Sequence, residues 1–218
     1  MRNATVPTPP RLGGTPAPCY AQDNAEGTPL AMTDALTLLK TRKSPKIFDL
    51  TSPGPTPAEL DEMLAIASRV PDHGKLAPWR FVIFEGEARE RAGEAIAAAF
   101  RADNPDADEE RVNIERIRLS HAPLVIAVVS KAGPHAKIPE WEQTLSGAAA
   151  CTLLVLAAHA LGYAATWLTG WHSYDARVRA ALGLIEDERF IGFVHVGTLV
   201  RPQEDRPRPA LADIVTRF

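Results

Sequence analysis

Apolar positions along the chain switch between two periods. Leu60, Met63, Leu64 and Ala67 recur at three- and four-residue spacing, one stripe of a helix. Thr56 ahead of Pro57 supplies a cap and a first-turn proline, so a helix is expected over 57–69. Ala35, Leu38 and Leu39 repeat the stripe in a shorter helix over 34–42, with Thr33 or Asp34 as its cap. Leu124-Val-Ile-Ala-Val-Val129 is apolar at every position and reads as a strand buried on both faces. Shorter apolar runs predict strands over 80–85, 163–168 and 190–200. Helices are expected over 87–101, from the acidic run 106–110 to near Ser120, over 140–161 and over 174–182, with a brief turn from Ala210. The acidic run either favours its helix N-terminus or is a solvated face. Strands alternating with helices argue α/β or α+β, with no repeat and no internal boundary over 32–218.

The first 31 residues break this pattern. Pro7, Pro9, Pro10, Pro16, Pro18 and Pro29, with Gly13 and Gly14, cannot build a packed element. This stretch is expected to be a flexible extension or the product of a misplaced start; an ordered arm on a partner subunit is the alternative.

Composition narrows the class. With 45% hydrophobic and 23% charged residues the 218-residue chain can fold around a sizeable core. A formal net charge of −3 gives no basic field for nucleic acid or an acidic membrane. Cys19 and Cys151 form neither a metal motif nor a disulfide framework, so a reducing cytoplasm is expected. The most apolar run, 148–158, is about half of the ~20 residues a membrane span requires. Residues 1–31 contain no compact apolar signal-peptide core.

Four segments carry groups suited to chemistry. Arg42-Lys43-Ser44 closes the first helix; two cations and a hydroxyl suit a phosphate, or the cations only complement the helix C-terminus. Pro71-Asp72-His73-Gly-Lys75 leads through Ala77-Pro78-Trp79 into a strand. His73 and Lys75 could donate to a redox ring with Trp79 beside it, or this is a Pro-bounded turn with Trp79 in the core. Asp72 could brace that turn with its side chain. Thr166-Trp167-Leu168-Thr169-Gly170 follows a strand and offers backbone N–H groups and Thr169 to a planar ligand, or merely ends the strand. Arg206-Pro-Arg208-Pro is a stiffened pair of guanidinium groups, an anion site or a solvated tail. Other classes find no support. There is no GxGxxG opening a helix, no phosphate-binding P-loop, no GxSxG and no HExxH. Cys151 lies in an apolar helical run, where an inert thiol is expected, and His159, two helical turns further along, lacks acidic support for a hydrolase.

Taken in order, these segments, together with Lys137-Ile-Pro-Glu-Trp-Glu-Gln143, resemble the nitroreductase family over about 32–218, in its small single-domain branch. The resemblance implies an α+β fold with a central, mainly antiparallel sheet flanked by helices, in an intertwined homodimer. It implies two FMN sites at the subunit interface and transient NADH or NADPH. Arg42, Lys43, Ser44 and Arg208 (or Arg206) would hold the phosphate end. His73 would approach the partner's FMN, and Trp167, Leu168 and Thr169 would lie along the ring. Lys75 is a candidate cation for the reduced ring, and the helix at 147–150 a candidate for close packing between subunits. Hydride would pass from NAD(P)H through flavin N5 to a nitroaromatic, quinone or similar acceptor by a ping-pong scheme, with no obligatory side-chain acid or base. The family often has Gln or Asn where Ala77 stands, and the close branch has Arg where Leu168 stands. A flavin carrier or sensor without turnover is therefore the alternative.

Overall fold

A computed structural model describes residues 34–218. The expected extension at 1–31, and Thr33 as a cap, lie outside the described residues. The chain runs α1 (Ala35–Thr41), β1 (Leu50–Thr51), α2 (Pro57–Ala67), β2 (Trp79–Glu85), α3 (Glu87–Asp103), α4 (Glu109–Arg116) and β3 (Leu124–Ser130). It continues as α5 (Glu140–Ala160), β4 (Ala164–Leu168), α6 (Trp171–Tyr174), α7 (Ala176–Ala181), β5 (Arg189–Leu199) and α8 (Leu211–Ile214). The five strands form one sheet in the order β1-β5-β3-β2, and β4 lies on the same edge of β5 as β1. Every pairing among them is antiparallel, which places the fold in the α+β class.

β3 is the centre of the molecule, and all seven of its residues are buried. Because side chains alternate along a strand, Leu124, Ile126 and Val128 join one core while Val125, Ala127 and Val129 join another. The first core is closed by Met63 and Ala67 of α2 and by Ala150, Cys151, Leu154 and Ala158 of α5. The second is closed by Ile96 and Ala99 of α3, with Leu119, Val178 and Phe193. α5 is long and apolar enough to cross a membrane by composition, yet half of its most apolar window is buried inside this core.

Local rules set the element ends. Thr56 and Glu59 form a reciprocal capping box at α2. Asp34 caps α1 through Leu36 and Thr37 N–H. The helix expected from 106 to near Ser120 is shorter, because Asp108 accepts from Arg111 N–H and starts it late, and it ends at Arg116. The expected helix over 174–182 is α7, which starts at Ala176 because Asp175 is extended and caps it through Arg177 and Val178 N–H; the single turn of α6 before it was not foreseen. β1 was not foreseen, since two residues carry no period. Gly147 and Ala150, expected to pack between subunits, face the chain's own core. A Cβ on Gly147 would come within 3.1 Å of Ile191 and 3.9 Å of Trp79.

Two histidines are buried on the second face. His172 and His195 are 6% and 3% exposed, and each leaves Nδ1 without a hydrogen-bond partner. Burial, with Arg118 nearby, pushes His172 down to about 4. Burial, with His121 and His172, pushes His195 down to about 3. In the unfolded chain both rings titrate near ~6.5. As pH falls from that value toward 4, the unfolded chain takes up protons that the folded chain refuses, so stability falls with pH. Urea unfolding is therefore expected to weaken between pH 6.5 and 4.5 by up to about 1.4 kcal/mol per pH unit from each ring. A stability that stays flat across that window would contradict neutral burial of both rings.

Candidate functional site

Helix α1 ends where Arg42 turns out of helical backbone, with ψ 131°. The next residues are then clamped to the far end of the chain. Lys43 Nζ donates to Gln203 O at 2.6 Å. Gln203 Nε2 donates to Asp49 Oδ2 at 2.9 Å, and Arg201 pairs with Asp49 Oδ1 at 2.6 Å. The hydrogen bond from Gln203, and then Arg201, hold the Asp49 carboxyl below its ordinary range despite its burial. This clamp brings Arg42, Lys43 and Ser44 against Arg206 and Arg208 around a crevice of about 120 Å³. Arg42 Nη1 donates to Ser44 Oγ at 3.0 Å. Glu204 and Asp205 share the wall, and Arg208 Nη2 donates to Asp205 Oδ1 at 2.7 Å. The two basic segments, separate in the sequence, thus form one cation-rich site whose donors suit a phosphate monoester. Both Arg206 and Arg208 line it.

The loop before β2 is held by its own side chains. Asp72 accepts from Leu76 N–H at 3.1 Å and Ala77 N–H at 2.8 Å, so it braces the turn. Gly74, Lys75 and Ala77 all have positive φ, and for Lys75 and Ala77 that conformation is uncommon. Trp79 belongs largely to the core: it packs beside Phe81, and its Nε1 donates to Ser146 Oγ at 3.1 Å. Ser146 in turn donates to Pro71 O at 2.8 Å, tying the loop to α5. His73 is exposed, and its Nδ1 meets Glu142 Oε2 at 2.7 Å. A ring whose Nδ1 faces a carboxylate carries its proton there and leaves Nε2 free.

Glu142 and Ser146 are functional candidates that motif reasoning passed over. Their signal was helical spacing. Glu142, Leu145, Ser146 and Ala149 lie on one face of α5 and line a groove of about 280 Å³ with Pro71 and His73. Gln143 serves the motif differently. It is buried, donates to Gly133 O and Ile138 O, accepts from Gly133 N–H, and so fixes the loop before α5.

At the end of β4, Thr166 is buried while Trp167, Leu168 and Thr169 are exposed. Trp167 lies over Gly192, where a Cβ would come within 2.0 Å of its Nε1, and Nε1 donates to Ile191 O at 3.3 Å. Only glycine allows this approach. Behind the segment, Trp171 Nε1 donates to Glu115 Oε2 at 2.9 Å, and the His172 ring covers Gly170.

The crevice holding Arg42 and Arg208 and the groove holding His73 have no residue in common. Lys75 is exposed on the same loop as His73. Cys151 is buried and burial pushes its thiol up, which makes it inert as expected. His159 is held by Val155 O at 2.9 Å and pushed down by burial, so it is no free base. No metal-binding cluster occurs among the described residues.

An antiparallel sheet covered on both faces by helices, with a cation-rich crevice and an exposed aromatic strand end, defines an α+β protein. The chain belongs to the nitroreductase family, whose model matches residues 39–198. It is 41% identical to a Haemophilus influenzae protein named Putative NAD(P)H nitroreductase, over 76% of this chain and 88% of that one. It is 35% identical to Escherichia coli K12 YdjA, which bears the same description, over 76% and 88% of the two chains. Among solved structures, a nitroreductase-like family protein from Bacillus cereus superposes with a TM-score of 0.76 at 23% identity, covering 89% of this chain and 99% of that one. The FMN and NADPH-dependent nitroreductase NfnB from Sphigopyxis sp. strain HMH superposes at 0.63 with 21% identity, covering 85% and 99%. At these identities the two structures speak for the fold.

Proposed function

We propose that this chain is an FMN-dependent oxidoreductase that takes hydride from NADH or NADPH and gives it to a nitroaromatic, quinone or similar acceptor in a ping-pong cycle. The observation that carries this reading is the convergence of Arg42-Lys43-Ser44 with Arg206 and Arg208 in one crevice. Bound FMN would supply the hydride relay, which explains why no dinucleotide-binding motif is needed. Arg42, Lys43, Ser44 and Arg208 hold the phosphate. Trp167, Leu168 and Thr169 offer an exposed strand end to the ring. Lys75 supplies positive charge to the reduced ring.

The site is completed by a second copy of the chain. His73 is presented outward on a braced loop, apart from its own crevice, and so reaches the partner's ring. Trp141 and Leu145 near His73, and Leu211, Ile214, Val215 and Phe218 in the C-terminal arm, are large apolar side chains left exposed in one protomer. Together they are the material of a dimer interface. A reducing, cytoplasmic setting accords with the free thiol at Cys151.

Purified protein is expected to be yellow and to bleach anaerobically when NADH or NADPH is added. Colourless protein that takes up no FMN would sink the reading. Ala77 and Leu168 favour one alternative, because both present aliphatic groups where polar ring contacts were expected. Yellow protein that neither nicotinamide bleaches would identify a flavin carrier or sensor.

A further inference from the structure

An all-cation crevice would repel itself, and this chain places two carboxylates in its wall, Glu204 and Asp205, of which Asp205 is bonded to a crevice guanidinium. Asp205 Oδ1 accepts from Arg208 Nη2 at 2.7 Å and from Arg206 N–H at 2.9 Å. One oxygen thus gathers a guanidinium and a backbone amide, the pair of donors that a phosphate oxygen recruits. Arg42 is engaged with Ser44 Oγ and Lys43 with Gln203 O, both neutral groups. Arg208 is therefore the crevice cation whose fork is held by an anion. Pro207 and Pro209 flank it and limit how far its backbone can swing. Asp205 is about half exposed, so it can turn into water when a stronger anion arrives.

We propose that Asp205 is a specificity-determining residue of the crevice, an internal anion that a phosphate monoester must displace from Arg208. The proposal rests on the reading of this crevice as the FMN phosphate subsite. A monoester brings about −1.5 to −2 charge against the −1 of a carboxylate, so it wins the exchange, but against competition. Asp205 therefore weakens binding of phosphorylated flavin and leaves unphosphorylated flavin unaffected. It lowers the margin by which FMN is preferred over riboflavin.

The test is titration of flavin-free full-length protein with FMN and with riboflavin, read by flavin fluorescence, for wild type, Asp205→Asn and Asp205→Glu. Asp205→Asn is expected to bind FMN about two- to fivefold more tightly, the range of an exposed ion pair. Riboflavin affinity should not change. Asp205→Glu keeps the anion and should behave as wild type. FMN affinity that is unchanged or weaker in Asp205→Asn overturns the proposal, as does equal tightening of riboflavin. Wild type that binds FMN and riboflavin equally overturns the phosphate reading beneath it, and the proposal falls with it.

Discussion

Replacing Glu115 with alanine is expected to lower the stability of the fold by about 3–5 kcal/mol, the cost of removing one partner from a buried charge network. Glu115 is fully buried. Its carboxylate receives Arg118 on both oxygens, Arg111 at 2.6 Å and Trp171 Nε1 at 2.9 Å. Burial alone would raise its pKa, but the hydrogen bonds from Arg118, Trp171 and Arg111 outweigh burial and hold it at about 2. Its folded value is thus depressed below the ordinary ~4.5 of the unfolded chain. Its stabilisation is present above pH ~4.5 and is lost as pH falls toward 2. Guanidinium unfolding at pH 7 should show the full loss, and the gap between variant and wild type should narrow below pH 4. A loss under about 1 kcal/mol at pH 7 would mean that water already serves these groups. The effect also reaches the site. Trp171 loses its acceptor, and it anchors the segment that presents Trp167 to Thr169.

How far such features could be read from the sequence depended on whether a pattern carries them. β3 was legible because the six consecutive apolar residues from Leu124 to Val129 leave no polar position, and the two cores on its alternate faces are what that run requires. Thr56-Pro57 marked the start of α2 because capping is a local chemical event. α6 was not legible because four residues are too short to show a helical period. Site residues followed the same division. Arg42 and Arg208 were nameable as cations, but their meeting depends on the Asp49–Gln203–Lys43 clamp, which no periodicity announces. Glu142 stands in the Lys137–Gln143 segment, but its contact with His73 spans 69 positions and is visible only in the fold. Ala77 is instructive in another way. Its φ of 44° is a conformation that asparagine tolerates better than alanine, so the amide common in the family would suit the backbone as well as a ligand.

Substituting Arg42 with alanine should weaken FMN binding by roughly 30- to 100-fold, or about 2–3 kcal/mol, the worth of a charge-assisted contact to a phosphate. Arg42 stands at the point where α1 stops, and among the described residues one of its donors is in use, on Ser44 Oγ. The remaining fork is available to a second group in the same crevice. Its loss leaves Lys43, whose ammonium is committed to Gln203 O, and, on the C-terminal segment, Arg206 and Arg208, the latter held by Asp205. On the α1 side no planar pair of donors remains. Arg42→Lys should fall between the two, because it restores charge without the fork. Riboflavin, which lacks the phosphate, should bind the alanine variant as it binds wild type. Raising the salt concentration should weaken FMN binding to wild type more than to the variant, since one fewer screened charge remains. Equilibrium dialysis of both flavins against the three proteins measures all of this. An alanine variant that retains FMN like wild type would remove Arg42 from the phosphate subsite and leave the convergence of the two basic segments without a ligand.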